Sequence, residues 1–222
     1  MEYTVLVTYL IANLTNNFMV KYRKGWVVLE MIRTKDFKIP AVAESIRKAT
    51  KEVGFEMSCD NETATLLRTL VSSKRNSRFL ELGTGAGLST SWILDGMDEN
   101  STLLTVELDE TLHEIARKHL GNDNRVVFIT GDGETFIKSI ENQKFDFIFA
   151  DTWPGKFFVL DETLGLLNTG GLYIIDDLLP EPNWPEGHGE KVEDLILYLD
   201  SRNDLSITKL NWSTGLVIAT KI

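Results

Sequence analysis

Cysteine is nearly absent from this chain of 222 residues: Cys59 stands alone, so no intrachain disulfide can form and no thiolate cluster can hold zinc. A reducing, cytoplasmic setting fits that usage. Histidine is scarce as well, with His113, His119 and His188 scattered along the chain, so any metal has to rest on carboxylates. Positive charge is in short supply, since 23 Lys and Arg against 33 Asp and Glu leave a formal net charge of -10. With a pI near 4.9, the chain is expected to have no nucleic-acid partner and no anionic membrane surface to bind, because both are held through clustered basic residues. A long hydrophobic run is missing too. Residues 3–20 are uncharged, but their three Asn and three Thr make the 18-residue stretch too polar for stable membrane insertion. No basic segment leads into it and no small-residue cleavage site follows, which reads against a secretory signal. The stretch is expected to be an amphipathic helix packed on the body or on a second subunit.

What is present is enough apolar material for one core, at 43% hydrophobic residues. The first forty residues are mildly basic and the acidic excess lies beyond them. Pro40 opens a helix with Val42, Ile46, Ala49 and Val53 at helical spacing, and Asp60 or Asn61 caps a second one bearing Leu66, Leu67 and Leu70. From there short apolar runs of strand length, at 78–82, 102–107, 126–130, 145–150 and 172–175, alternate with helical stretches at 88–95, 110–120, 134–140 and 156–167. Strands apolar at every position, separated by helices, predict a parallel sheet covered on both faces. A helix over about 191–201 precedes two further strands joined through Ser213, Thr214 and Gly215, a terminal hairpin. The boundary expected is between an N-terminal helical extension, 1–75, and an α/β body, 76–222.

The first of these strands runs into a glycine-rich turn, FLELGTGAG at 79–87. Glycines between a strand and a helix let the backbone pass close to a ligand and aim N–H groups at its negative atoms. Gly83, Gly85 and Gly87 are so placed, but the dinucleotide pattern asks for its third glycine at position 88, where Leu88 stands. Glu107 ends the second strand about twenty residues on, where an acidic side chain accepts hydrogen bonds from both hydroxyls of a ribose. Asp132, after the third strand, either reaches an adenine amino group or caps the next helix; the residues leave both readings open.

Taken in order, these motifs resemble the catechol O-methyltransferase-like family of class I S-adenosylmethionine-dependent methyltransferases, over residues 60–222. The resemblance implies a Rossmann-like doubly wound sheet of seven strands, mostly parallel with a C-terminal antiparallel hairpin, plus N-terminal helices. ELGTGAGLST is similar to the family's cofactor loop, which implies that Glu81, Gly83, Thr84, Gly85 and Ser89 bind S-adenosylmethionine, Gly83 beside its methionine part and Ser89 at its carboxylate. TVELD resembles the ribose segment, with Glu107 on the hydroxyls and Leu108 against the adenine. GDGE is similar to the adenine-edge segment, so that Gly133 and Glu134 join Asp132. FDFIFADTW resembles the motif whose Asp, here Asp151, lies beside the methyl donor and ligates a metal, and whose aromatic, here Trp153, covers the adenine. GGLYIIDDLLP is similar to the segment supplying two more ligands, here Asp176 and Asp177.

Such a trio of carboxylates suits Mg2+, with Ca2+ or Mn2+ as substitutes, and the metal would bind and acidify a substrate hydroxyl. Two positions depart from the pattern. Pro154 occupies the place of the family's general-base lysine, leaving Lys156 as substitute base or as a solvated lysine opening a helix, and Asp177 stands in place of Asn. In the Pro- and Gly-rich stretch 180–191, Trp184 is placed to stack on an aromatic acceptor, and His188 is either a replacement base or an exposed histidine at a helix start. The expected function is methyl transfer to a small hydroxylated molecule by a homodimer. A metal-independent methyltransferase of another acceptor and a cofactor-binding module without catalysis are the alternatives, and an NAD-dependent oxidoreductase ranks below them because Leu88 stands where its third glycine would be.

Overall fold

A computed structural model describes residues 19–22, 25–28, 38–182 and 184–222. The chain divides into two compact units, Met1–Lys38 and Ile39–Ile222. In the first, strands β1 (Met19–Tyr22) and β2 (Gly25–Val28) form an antiparallel hairpin with Tyr22 opposite Gly25. The helix expected over 3–20 falls outside the described residues except at Met19 and Val20, which are strand.

The second unit opens with α1 (Ala43–Glu52) and α2 (Asn61–Ser72). Asp60 caps α2 as its sequence position predicts, accepting a hydrogen bond from the Thr63 N–H at 2.8 Å. These helices pack on the helices of the α/β body, α2 on α3 and α1 on α4, and the break in the chain lies at residues 38/39. The body then alternates: β3 (Arg78–Leu82), α3 (Leu88–Gly96), β4 (Thr102–Glu107), α4 (Glu110–Leu120), β5 (Val126–Thr130), α5 (Gly133–Ser139), β6 (Phe145–Ala150), α6 (Leu160–Gly165) and β7 (Leu167–Ile175). It finishes with α7 (His188–Asp200), β8 (Leu205–Leu210) and β9 (Leu216–Lys221).

The strands form one seven-stranded sheet in the order β5-β4-β3-β6-β7-β9-β8. β3 to β7 are parallel, and β9 and β8 pair antiparallel. Phe79, Leu80, Leu82, Phe147, Ile148 and Phe149 on the two central strands are fully buried. Helices cover both faces, which is why these strands read as continuous apolar runs and not as alternating ones. Each such side chain contributes about 1.5–3 kcal/mol of burial. The chain leaves β3 toward β4 on one side, while β6 pairs with β3 on the other. The direction of winding therefore reverses between β3 and β6, opening a crevice at their carboxyl ends, the place where sheets of this kind bind ligands.

Three elements differ from their predicted extents. The helix expected over 156–167 is only the short α6, preceded by a tight turn over 153–158 in which the N–H groups of Lys156, Phe157 and Phe158 all bond to the Trp153 carbonyl. β7 starts at Leu167, five residues early, because pairing with β6 carries the strand through polar Asn168, Thr169 and two glycines, with a register irregularity between the Phe145 and Phe147 pairings. α7 starts at His188, behind Gly187 in a left-handed conformation.

Candidate active site

The glycine turn begins where β3 ends. The N–H groups of Gly83 and Thr84 both bond to the Val106 carbonyl, at 3.0 and 3.1 Å, which pulls the turn across the end of β4. Gly83 has φ +96°, and a Cβ there would stand 2.8 Å from the Asp151 carbonyl oxygen, so only glycine lets the ends of β3 and β6 come this close. Beneath the turn Glu81 is fully buried and accepts hydrogen bonds from the hydroxyls of Ser89 (2.6 Å), Thr90 (2.6 Å) and Thr105 (2.7 Å). Thr84 joins through the Thr105 hydroxyl at 2.6 Å. Burial pushes the Glu81 carboxyl up to about 7, against the pull of the three hydroxyls. Glu81 and Ser89 thus brace the turn from below. The Ser89 hydroxyl is buried on Glu81.

At the end of β4 the Glu107 carboxylate accepts the Gly85 N–H at 2.7 Å and the Asp109 N–H at 2.9 Å, one oxygen to each. It bridges the glycine turn to the segment that follows β4. Leu108 beside it is 70% exposed, and Trp153, past the end of β6, is 38% exposed with the Phe157, Phe158 and His188 rings against it. Asp132 is the N-cap of α5, accepting the Thr135 N–H (2.8 Å) and hydroxyl (2.7 Å), and these bonds hold it below the ordinary carboxylate range. The cap that the sequence allowed for Asp132 is formed. Gly133 is the first residue of α5, and Glu134 pairs with Lys138 at 2.6 Å.

The expected metal trio is not assembled. Asp176 accepts the Thr214 hydroxyl at 2.5 Å and the Asp177 N–H at 2.7 Å on one carboxylate oxygen. Asp177 accepts the Trp184 indole N–H at 2.9 Å, from a backbone with φ +61°. Between them lies Lys156. Its side chain is 3% exposed, and its ammonium donates to the carbonyl oxygens of Asp176 (2.6 Å) and Asp177 (3.2 Å), 3.9 Å from the Asp177 carboxylate. This overturns the reading of Lys156 as a solvated lysine opening a helix. Among the described residues no group of three or more His, Cys, Asp or Glu is arranged to hold a metal ion. Asp151, Asp176 and Asp177 therefore do not fit a divalent cation, because their neighbourhood already contains a positive charge. Burial pushes the Asp151 carboxyl well above its ordinary value, the Asp176 charge adds to that, and Lys156 opposes it. Burial likewise lowers Lys156, against the pull of Asp151, Asp177 and Asp176.

His188 is not an exposed helix-start residue either. It is 4% exposed, with Trp184, Phe157 and Trp153 ring centroids at 4.4, 5.2 and 6.0 Å. Neither ring nitrogen has a hydrogen-bond partner, and Nε2 lies 3.8 Å from the Asp177 carboxylate. Burial and the Lys156 charge lower its pKa, so the ring is neutral near pH 7. Sequence reasoning missed the supports: Thr90 and Thr105 under Glu81, Thr214 on Asp176, and Tyr173, whose hydroxyl donates to the Gly155 carbonyl. Thr214 carries no sequence signal, whereas Tyr173, polar within an apolar strand, is a cue that a partner waits in the core.

Sheet order, glycine turn and the acid at the end of β4 together define the Rossmann-like fold of the S-adenosylmethionine-dependent methyltransferases. Residues 80–178 match the family described as a methyltransferase domain. A protein of Mycobacterium leprae, provisionally named an O-methyltransferase, is 25% identical over 140 residues, covering 61% of this chain and 62% of that one. Catechol O-methyltransferase B of Danio rerio is 28% identical over 133 residues, covering 55% and 50%. The matched stretch is thus about three-fifths or less of the length of these relatives. Among solved structures, the O-methyltransferase of Bacillus cereus in complex with S-adenosylhomocysteine superposes with a TM-score of 0.73 at 21% identity, covering 82% of this chain and 90% of that one. An O-methyltransferase of Streptomyces achromogenes in complex with S-adenosylmethionine gives 0.72 at 20%, covering 82% and 89%. At these identities the two structures show the shared fold.

Proposed function

We propose that this chain is an S-adenosylmethionine-dependent O-methyltransferase acting on a small hydroxylated molecule, and that it works as a cytoplasmic homodimer. One observation carries the reading: Glu107 bridges the glycine turn to the end of β4, with Leu108 and Trp153 exposed as apolar faces at the strand ends. Glu107 would hold the ribose hydroxyls of the cofactor, Leu108 and Trp153 its adenine, and the backbone around Gly83 its methionine part. The cofactor supplies an electrophilic methyl on a sulfonium.

The chain's own residues prepare the acceptor. Trp184 offers a face on which an aromatic acceptor stacks. His188 is the group assigned to take the hydroxyl proton, with Nε2 3.8 Å from the Asp177 carboxylate, whose charge stabilises the imidazolium that forms. A neutral, unpartnered histidine beside a carboxylate is suited to this, whereas the Lys156 ammonium is engaged with two carbonyls. Among the described residues no helix is long and apolar enough to cross a membrane.

Transfer of labelled methyl from S-adenosylmethionine to a panel of catechols and other phenols tests the proposal. The wild type is expected to label at least one, and His188→Asn to lower kcat by about a hundredfold with little change in cofactor affinity. Cofactor binding without transfer to any acceptor would favour a binding module. A solution mass equal to the single chain's 25.1 kDa would remove the dimer from the proposal.

A further inference from the structure

The carboxylates that the family resemblance assigns to a divalent ion surround a lysine in this chain, and the surrounding sequence builds that arrangement. Pro154 and Gly155 fold 153–158 into its tight turn. Gly155 has φ +87°, a left-handed backbone that favours glycine, and a Cβ there would stand 2.4 Å from Leu82 Cδ1. Its carbonyl accepts the buried Tyr173 hydroxyl and its N–H donates to the Phe158 carbonyl at 2.7 Å. Lys156, the next residue, is thereby aimed inward under β7, onto the carbonyls of Asp176 and Asp177. One oxygen of Asp176 accepts the Thr214 hydroxyl and the Asp177 N–H, and one oxygen of Asp177 accepts the Trp184 indole N–H. A divalent cation binds carboxylate oxygens at about 2.0–2.6 Å, and here it would sit beside a positive charge of the same sign.

We propose that the Lys156 ammonium takes the place of the divalent cation among Asp151, Asp176 and Asp177, so that this chain works without a metal. In that role Lys156 is a positioning residue. It holds the ends of β6 and β7 together and supplies one fixed positive charge beside the acceptor's oxygen, leaving proton removal to another group. The inference rests on the methyltransferase reading for its catalytic meaning, but metal occupancy can be measured without any acceptor.

The experiment is a Mn2+ titration followed by electron paramagnetic resonance on the full chain, wild type and Lys156→Ala, with S-adenosylhomocysteine affinity and circular dichroism recorded on the same samples. The wild type is expected to bind no stoichiometric Mn2+ below 1 mM total on the order used for such hard-ligand sites. Removing the ammonium is expected to tighten Mn2+ binding at least about tenfold, and Asp176→Asn in the same background to reverse that gain. One Mn2+ per wild-type chain, lost in Asp151→Asn, would overturn the proposal, as would a folded Lys156→Ala chain that gains no Mn2+. Should Lys156→Ala fail to fold, the wild-type arm decides alone: one ion at that centre contradicts the proposal and none supports it. Absence of S-adenosylhomocysteine binding, by contrast, would count against the methyltransferase reading and leave the metal result standing.

Discussion

Replacing Gly83 by alanine tests how the turn couples the two central strands. The added methyl would lie 2.8 Å from the Asp151 carbonyl oxygen and 3.2 Å from its carbonyl carbon, on a residue with φ +96°. The left-handed backbone alone costs an alanine about 1–2 kcal/mol. Relieving the contact requires the end of β6 to move, and overpacking of this kind costs typically about 1–3 kcal/mol more. A loss of roughly 2–5 kcal/mol in a unit of this size lowers the melting temperature by roughly 4–20 °C at about 2–4 °C per kcal/mol. Because the residue that moves is Asp151, beside the methyl donor in the proposed site, S-adenosylhomocysteine affinity should fall along with stability. Thermal unfolding followed by circular dichroism and calorimetric titration with S-adenosylhomocysteine measure both. A variant that melts within about 1 °C of the wild type and binds equally well would refute the claim that glycine is required by the approach of β6.

Three further outcomes follow from the same contacts. Glu81 titrates at about 7 in the folded chain and near 4.3 unfolded. Its contribution is therefore complete below the unfolded value and is lost as pH rises through about 7. Glu81→Gln should gain on the wild type between pH 5 and 8, by at most about 3 kcal/mol, and a pH-independent difference in denaturant melts would show that Glu81 does not titrate there. Asp132→Ala should lower the melting temperature and Asp132→Asn should not, because Asn also caps helices; a fall in S-adenosylhomocysteine affinity with Asn would give the carboxylate a ligand role beyond the cap. Tyr173→Phe removes the buried hydroxyl that holds Gly155, leaving that carbonyl without its donor at a cost of about 1–3 kcal/mol. Unchanged denaturant stability would mean the turn does not depend on that bond.

Much of the fold could be read in advance because burial writes directly into sequence. Strands β3, β4, β5 and β6 lie where uninterrupted apolar runs placed them, and Asp60 caps α2 where a helix-start acid was expected. The start of β7 was hidden, since Asn168 to Gly171 join the strand through backbone pairing that side-chain polarity does not report. Within the site, Gly83 and Glu107 were legible because backbone approach and strand-end acids have fixed spacing. Lys156 and His188 were not. A lysine after Pro-Gly and a histidine after Gly look solvated along the chain, and only the turn at 153–158 and the Trp184–Asp177 bond bury them. The bond from the Ser89 hydroxyl to a buried carboxylate eight residues earlier was hidden for a related reason, since it forms only when the turn folds over the end of β3.

Calorimetric titration of the full chain with S-adenosylmethionine, wild type and Glu107→Ala, tests the central claim most directly. One molecule should bind per wild-type chain, and the substitution should weaken binding by about 10- to 100-fold, the value of hydrogen bonds to a charged group. No saturable binding by the wild type, or equal binding by Glu107→Ala, would contradict the assignment of the crevice between β3 and β6 as the site of the methyl donor.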